Sequence, residues 1–225
     1  MRITGEQQRQ AWIDRTAPPV ERVREGVWSI PIDFHGSPVR CTFMYVVEGA
    51  DGAAVVIDPG WSSEHGWSQL EVGLAHAGLS FDAIVGIVST HAHPDHLGMV
   101  AELAERTGAW VGMHPLEDAS LDLIGTLEQT QGFDGDWLRG LGVPPEAVAG
   151  ILLGEESVHR LQRLARPTLP LEHDAILPLP GRALRVVATP GHTPGHICIV
   201  DEDARLAFTG DHVLPRITPN VGRAP

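Results

Sequence analysis

The stretch "THAHPDHLG", Thr90–Gly98, decides how this chain is read. It places His91, His93, Asp95 and His96 within six residues, directly after the apolar run "DAIVGIVST". That run has the β-branched, glycine-bounded character of a buried strand, so the cluster lies at a strand end. His91 and His93 are two apart, and in extended chain alternate side chains share a face. Two imidazoles can therefore reach one ion from a single loop. Asp95 and His96 follow on the turn into a helix expected to start near Leu97, and their different direction suits a second, adjacent ion. Pro94 stiffens the loop and lowers the entropy lost on ligation. Imidazole with carboxylate suits Zn2+, one or two per chain, with Fe2+ or Mn2+ as competitors.

One loop cannot complete a tetrahedral site. Two later strand ends offer further donors: "VVATPGHTPGH" carries His192 and "LAFTGDHV" carries Asp211. His192 can complete a first site with His91 and His93. Asp211 is the candidate carboxylate bridge, since a bridge holds two cations ~3.5–4 Å apart in two-metal hydrolysis. His196, after the His192 turn, is a candidate for orienting a ligand from behind.

Outward from the cluster, strands are expected at "GVWSIPI", "VRCTFMYVVEG", "AAVVIDPG" and "AWVGMHP". Helices are expected at "WSQLEVGLAHAGL" and "HLGMVAELAERTG". The alternation is that of an α/β chain. The first residues are polar and carry no assigned element. From about 116 to 177 the pattern turns helical with no strand, an insert before strands resume in "ALRVVATPGHTPGHICIV" and "RLAFTGDHV".

The chain of 225 residues has a net charge of −13 and is 43% hydrophobic, enough for one core. It contains no Lys and one Asn, Asn220, a bias associated with GC-rich bacterial genomes. An acidic chain without a basic run is not expected to bind nucleic acid. No apolar run approaches the ~20 residues of a membrane span. Cys41 and Cys198 each sit in apolar runs and read as small buried hydrophobes. With no leader at the start, a cytoplasmic protein is expected.

Taken together, "IDPG", "HAHPDH", "PGHTPGH" and "TGDH" resemble the metallo-β-lactamase superfamily, from about Trp28 to Asp211. The resemblance implies a single domain over 1–225, an αββα sandwich with the metals at one edge of two sheets. It implies His91, His93 and His192 at one metal, Asp95 and His96 at a second, and Asp211 bridging. Asp58 matches an aspartate that orients ligands, although a turn aspartate before Pro-Gly would look the same. One departure stands out: the family supplies a later histidine to the second metal, and no candidate lies beyond His212. His212 adjoins Asp211 and is expected to point elsewhere. Either the chain lacks the usual C-terminal part, which would uncover apolar surface and favour a homodimer, or another residue or subunit fills the gap.

The resemblance implies a hydrolase in which cations make hydroxide available for attack on a carbonyl, with Asp95 orienting the nucleophile and taking up a proton. β-Lactamases with a cysteine at the second site would need it where Asp211 stands. Diiron redox members place Glu where His93 stands. Ribonuclease and phosphodiesterase members carry a nucleic-acid-binding domain and basic surface. What remains is the glyoxalase II-like and lactonase-like group, acting on a small-molecule thioester, ester or lactone. A mononuclear iron dioxygenase and an inactive metal-binding domain are the alternatives. The insert could serve as a lid, or Leu121, Ile124, Leu127, Val148 and Leu152 could pack on the core. His35 and His65 lie on loops that could approach the site; His114, His159 and His173 read as structural or solvated. Trp61, Trp67 and Trp137 could line a pocket.

Overall fold

A computed structural model describes residues 4–34, 40–124, 135–151, 166–214 and 217–221. In it, β1 (Glu21–Arg24), β2 (Val27–Asp33), β3 (Cys41–Glu48), β4 (Ala54–Ile57), β5 (Ile84–Val88), β6 (Trp110–Met113) and β7 (Leu169–Pro170) lie side by side in chain order in one sheet. β8 (Leu184–Ala188), β9 (Ile197–Asp201) and β10 (Leu206–Phe208) form a second, antiparallel sheet.

Strict alternation along the strands builds two cores. On β3 and β4, Met44, Val46, Ala54 and Val56 face one side, where they pack with Leu70, Leu74 and Leu103 of the helices α2 (Glu64–Ala77) and α4 (Val100–Thr107). Val47, Val55 and Ile57 face the other side, against Leu184, Val186, Ile197 and Ile199 of the small sheet. The result is the expected sandwich of helices and two sheets.

β4, β5 and β6 are parallel, joined through α2 and then through α3 (Pro94–Leu97) and α4. Their C-terminal ends therefore share one edge, where open α/β sheets place their sites. Asp58 follows β4, Thr90 and His91 follow β5, and His114 follows β6. His192 lies between β8 and β9, and Asp211 follows β10.

Two expectations need correction, and one segment without an assigned element proves to be ordered. The polar start is structured: α1 (Glu6–Asp14) is capped by Glu21 of β1, whose carboxylate accepts from the backbone N–H of Gln7 and Gln8 at 3.0 and 2.9 Å. A cap supplied by a residue 13–14 positions away leaves no local signature. The helix after the metal loop begins at Pro94 rather than near Leu97, and it breaks at Gly98–Met99 before α4. Proline tolerates the first helical position, so Asp95 and His96 project from a helical turn.

The region 116–177 is not free of strand. It holds α5 (Pro115–Ile124), α6 (residues 135–140) and α7 (Pro145–Ile151), but the chain re-enters the large sheet at β7, paired in parallel with β6. Two residues give no alternation to detect. Leu121 is buried in the helix-side core and Val148 is buried. Leu127 and Leu152, like His35 and His159, lie outside the described residues, as does the side chain of Ile124.

Candidate metal centre

The loop after β5 is held from below before any ligand is considered. Ser89 Oγ donates to the carbonyl of His91 at 2.7 Å. Asp58 accepts from the backbone N–H of Thr90 at 2.7 Å and from Thr90 Oγ1 at 2.8 Å. Having given its one proton to Asp58, Thr90 Oγ1 accepts from Nδ1–H of His91, 3.0 Å away. That fixes the tautomer and leaves the lone pair of His91 on Nε2.

The same logic repeats around the cluster. Nδ1–H of His192 donates to the carbonyl of Asn220 at 2.6 Å, leaving Nε2 free to ligate. Nδ1–H of His96 donates to Asp58 Oδ2 at 3.0 Å, again leaving Nε2. His93 presents Nδ1, which lies 3.0 Å from His91 Nε2 and 2.9 Å from His192 Nε2. Zn–N bonds of ~2.0–2.1 Å in a tetrahedron separate neighbouring ligands by about 3.3 Å, so these nitrogens have the spacing of a common ion.

Two donor groups emerge among the described residues: His91, His93 and His192, and His91, His96 and Asp211, each with its donor atoms within 4.8 Å of one another. Asp211 Oδ1 lies 3.3 Å from His96 Nε2, and Oδ2 lies 3.5 Å from His192 Nε2. The carboxylate thus faces one histidine from each group. The buried His96 Nε2 makes no well-formed hydrogen bond despite that proximity, as expected of a lone pair aimed at a cation. The donor set and this orphaned nitrogen fit a divalent metal.

Asp95 stands apart from both groups, its Oδ2 3.7 Å from His96 Nε2, with its carbonyl accepting from Thr42 Oγ1 at 3.1 Å. His196 is fully buried: Nδ1 pairs with Thr189 Oγ1 at 2.8 Å, and its ring centroid lies 5.1 Å from that of His91. Gly210 holds φ +45, and a Cβ there would come within 2.6 Å of Thr90 Oγ1 and 2.8 Å of His196 Nε2, so only glycine lets Asp211 approach. His212 belongs to neither donor group; its ring lies 6.0 Å from that of His196.

The electrostatics match the geometry. Burial drives His91 well below the ordinary histidine pKa, and the imidazoles of His96, His93, His196 and His192 add to the effect. Burial and His192 also lower His93. Burial opposes the charged form of His96, but Asp58 and Asp211 outweigh it and raise its pKa well above the ordinary value. Burial pushes the Asp211 carboxyl up, yet the surrounding imidazoles, His96 first, hold it below the usual value.

Several weaker expectations resolve simply. His65 pairs with Asp33 at 3.0 Å. Trp61 packs on Phe34, Trp67 on Phe81, and Trp137 is exposed. His114 accepts from the N–H of Leu116 at the start of α5. Three contributors were not foreseen: Thr90, the Asn220 carbonyl and Glu117. Glu117 is buried and accepts from the backbone N–H of Ala92 and of Gly195, each at 2.7 Å.

Residues 38–225 match the family model described as "Metallo-beta-lactamase superfamily". The chain is 28% identical over 198 residues to an acyl-coenzyme A thioesterase of Bos taurus, covering 84% of this chain and 64% of that protein. It is 25% identical over 166 residues to a hydroxyacylglutathione hydrolase of Haemophilus influenzae, covering 70% of this chain and 60% of that one. The crystal structure of a metallo-beta-lactamase family protein from Thermus thermophilus aligns with a TM-score of 0.72 at 28% identity, covering 90% of this chain and 64% of that chain. The chain therefore spans less than two thirds of the length of each of these three relatives.

Proposed function

The chain belongs to the metallo-beta-lactamase superfamily, and on that premise we propose that it is a two-metal hydrolase of a small thioester, ester or lactone. The observation that carries this reading is the placement of Asp211, with one carboxylate oxygen toward His96 and the other toward His192. A carboxylate so placed would serve two centres at once. Zn2+ is the favoured occupant given three imidazoles on one side and imidazole plus carboxylate on the other.

A bound divalent cation supplies Lewis acidity: it polarises a carbonyl and lowers the pKa of water toward neutrality. The chain's own residues do the rest. Thr90 and the Asn220 carbonyl turn Nε2 of His91 and His192 toward the ligand position, and Asp58 orients His96 in the same way. Buried His91 resists protonation, so this side stays ready to ligate. Asp95, partly exposed beside His96 Nε2, is placed to orient the attacking water and accept its proton on Oδ2.

Thioesters are the favoured substrates within this class, because acyl-coenzyme A and hydroxyacylglutathione, named for two relatives, are both thioesters. A small-molecule substrate without nucleic acid agrees with the net charge of −13. No helix among the described residues is long and apolar enough to cross a membrane.

The test is a panel of thioesters, esters, lactones, a chromogenic β-lactam and a phosphodiester, offered to the zinc-loaded full chain with and without chelator. Chelator-sensitive hydrolysis of thioesters is expected. No turnover of any thioester, ester or lactone by the metal-loaded chain would overturn the reading. Iron at one per chain with oxygen consumption would move it to a dioxygenase.

A further inference from the structure

We propose that Glu117 is a positioning residue that sets the distance between the two histidine-bearing loops, and through it the metal affinity of the His91, His93 and His192 group. This rests on the metal-centre reading above. The carboxylate is 1% exposed, with Oε2 accepting from Ala92 N–H and Oε1 from Gly195 N–H, both at 2.7 Å. Ala92 lies between His91 and His93, and Gly195 lies three residues after His192. One side chain therefore clamps two loops that descend from different sheets.

The other direct backbone tie described between these loops is Ile197 N–H to the carbonyl of Thr90, 3.0 Å, at their base. Glu117 acts further out, beside the ligands themselves. Its own placement is fixed by the first turn of α5: its N–H donates to the carbonyl of His114 at 2.9 Å, and Ser120 Oγ donates to its carbonyl at 2.6 Å. Gly195 packs so closely that a Cβ would lie 2.8 Å from His114 Nδ1 and 2.9 Å from Glu117 Cγ. An apolar side chain would fill this space without the cost of desolvating a carboxylate. What it could not do is hold two N–H groups at one fixed separation.

Glu117→Gln replaces one acceptor oxygen by a donor that faces an N–H, so one loop must retreat. Partners behind metal ligands typically tune affinity roughly tenfold to a hundredfold, and a loss of that order is expected here. Three readouts on the full chain apply: zinc affinity by chelator competition, the visible absorption of the Co2+-loaded chain, and the amide proton shifts of Ala92 and Gly195 in the metal-free chain. The variant should bind zinc more weakly, shift the Co2+ bands and move both amide resonances upfield. Gly195→Ala, which keeps the carboxylate but displaces it, should weaken zinc binding in the same direction and serves if Glu117→Gln does not fold. A wild-type chain that binds zinc while either folded variant binds it equally well, with an unchanged Co2+ spectrum, would overturn the proposal alone. A wild-type chain that binds no zinc would overturn the metal-centre reading and the proposal with it.

Discussion

Asp58 and His96 meet across 3.0 Å, Nδ1–H of the imidazole donating to Oδ2, with both side chains buried. Asp58 simultaneously accepts twice from Thr90, so a single carboxylate positions ligands on both sides of the centre. It does so at φ +50, a backbone geometry that Asn also tolerates. Asp58→Asn therefore leaves the turn unstrained and removes the charge. The amide must turn a donor toward a donor, costing about 1–3 kcal/mol of stability. Metal affinity at the His96 side should fall roughly tenfold to a hundredfold. Calorimetric zinc titration beside a thermal melt of the metal-free chain checks both.

His91 belongs to both donor groups, whereas His93 and His192 belong to one and His96 and Asp211 to the other. With Nδ1–H given to Thr90, His91 has one lone pair, on Nε2, and can hold one cation, so His91→Ala should abolish tight binding at the three-histidine group. Asp211→Ala should leave the three-histidine group with one tightly held metal. Elemental analysis after gel filtration distinguishes the two outcomes, and a His91→Ala chain that retains the metal content of the unaltered chain would contradict its role as a ligand.

The metal-free chain should have a bell-shaped stability profile. Burial lowers His91 and His93, and burial pushes His196 down to about 4 from an ordinary 6.5. Between those values the unfolded chain binds more protons, so stability falls as the pH drops from 6.5 toward about 4. His96 runs the other way: its pKa is raised by Asp58 and Asp211 against burial. Its contribution is complete below the unfolded value and is lost as pH rises through the folded one. Urea midpoints with chelator across roughly pH 5 to 9 should peak near the ordinary histidine value. His196→Gln should flatten the acid limb; an acid limb of unchanged steepness would refute the assignment.

Away from the site, Arg182 Nε donates to Asp201 Oδ2 at 2.5 Å, and its Nη1 reaches the carbonyls of Gly26 and Glu48. This arginine ties the small sheet to the first strands of the large one. Asp201 is 2% exposed, so Arg182→Ala strands a buried carboxylate and should cost about 3–5 kcal/mol. Denaturant unfolding measures the loss, and a change within ~0.5 kcal/mol would show the pair to be incidental.

The metal loop was legible because its information is local: strand, alternating histidines and proline-led turn lie within a dozen residues. The later donors were legible for the same reason, as His192 and Asp211 each follow an apolar strand and adjoin a glycine. Glu117 was not, because an acidic residue in a first helical turn is ordinary and its partners lie 25 and 78 residues away. Glu21 escaped notice likewise: it is a cap in three dimensions and a polar residue in one. The Asn220 carbonyl is backbone, which no residue type announces. β7 is two residues long, and pairing alone defines it.

The central claim is that two adjacent centres share Asp211. X-ray absorption at the zinc edge of the zinc-loaded full chain tests it most directly. The account predicts nitrogen and oxygen neighbours and a zinc–zinc distance of about 3.5–4 Å. Zinc sites without a metal neighbour at full loading, or sulfur in the coordination sphere, would contradict it.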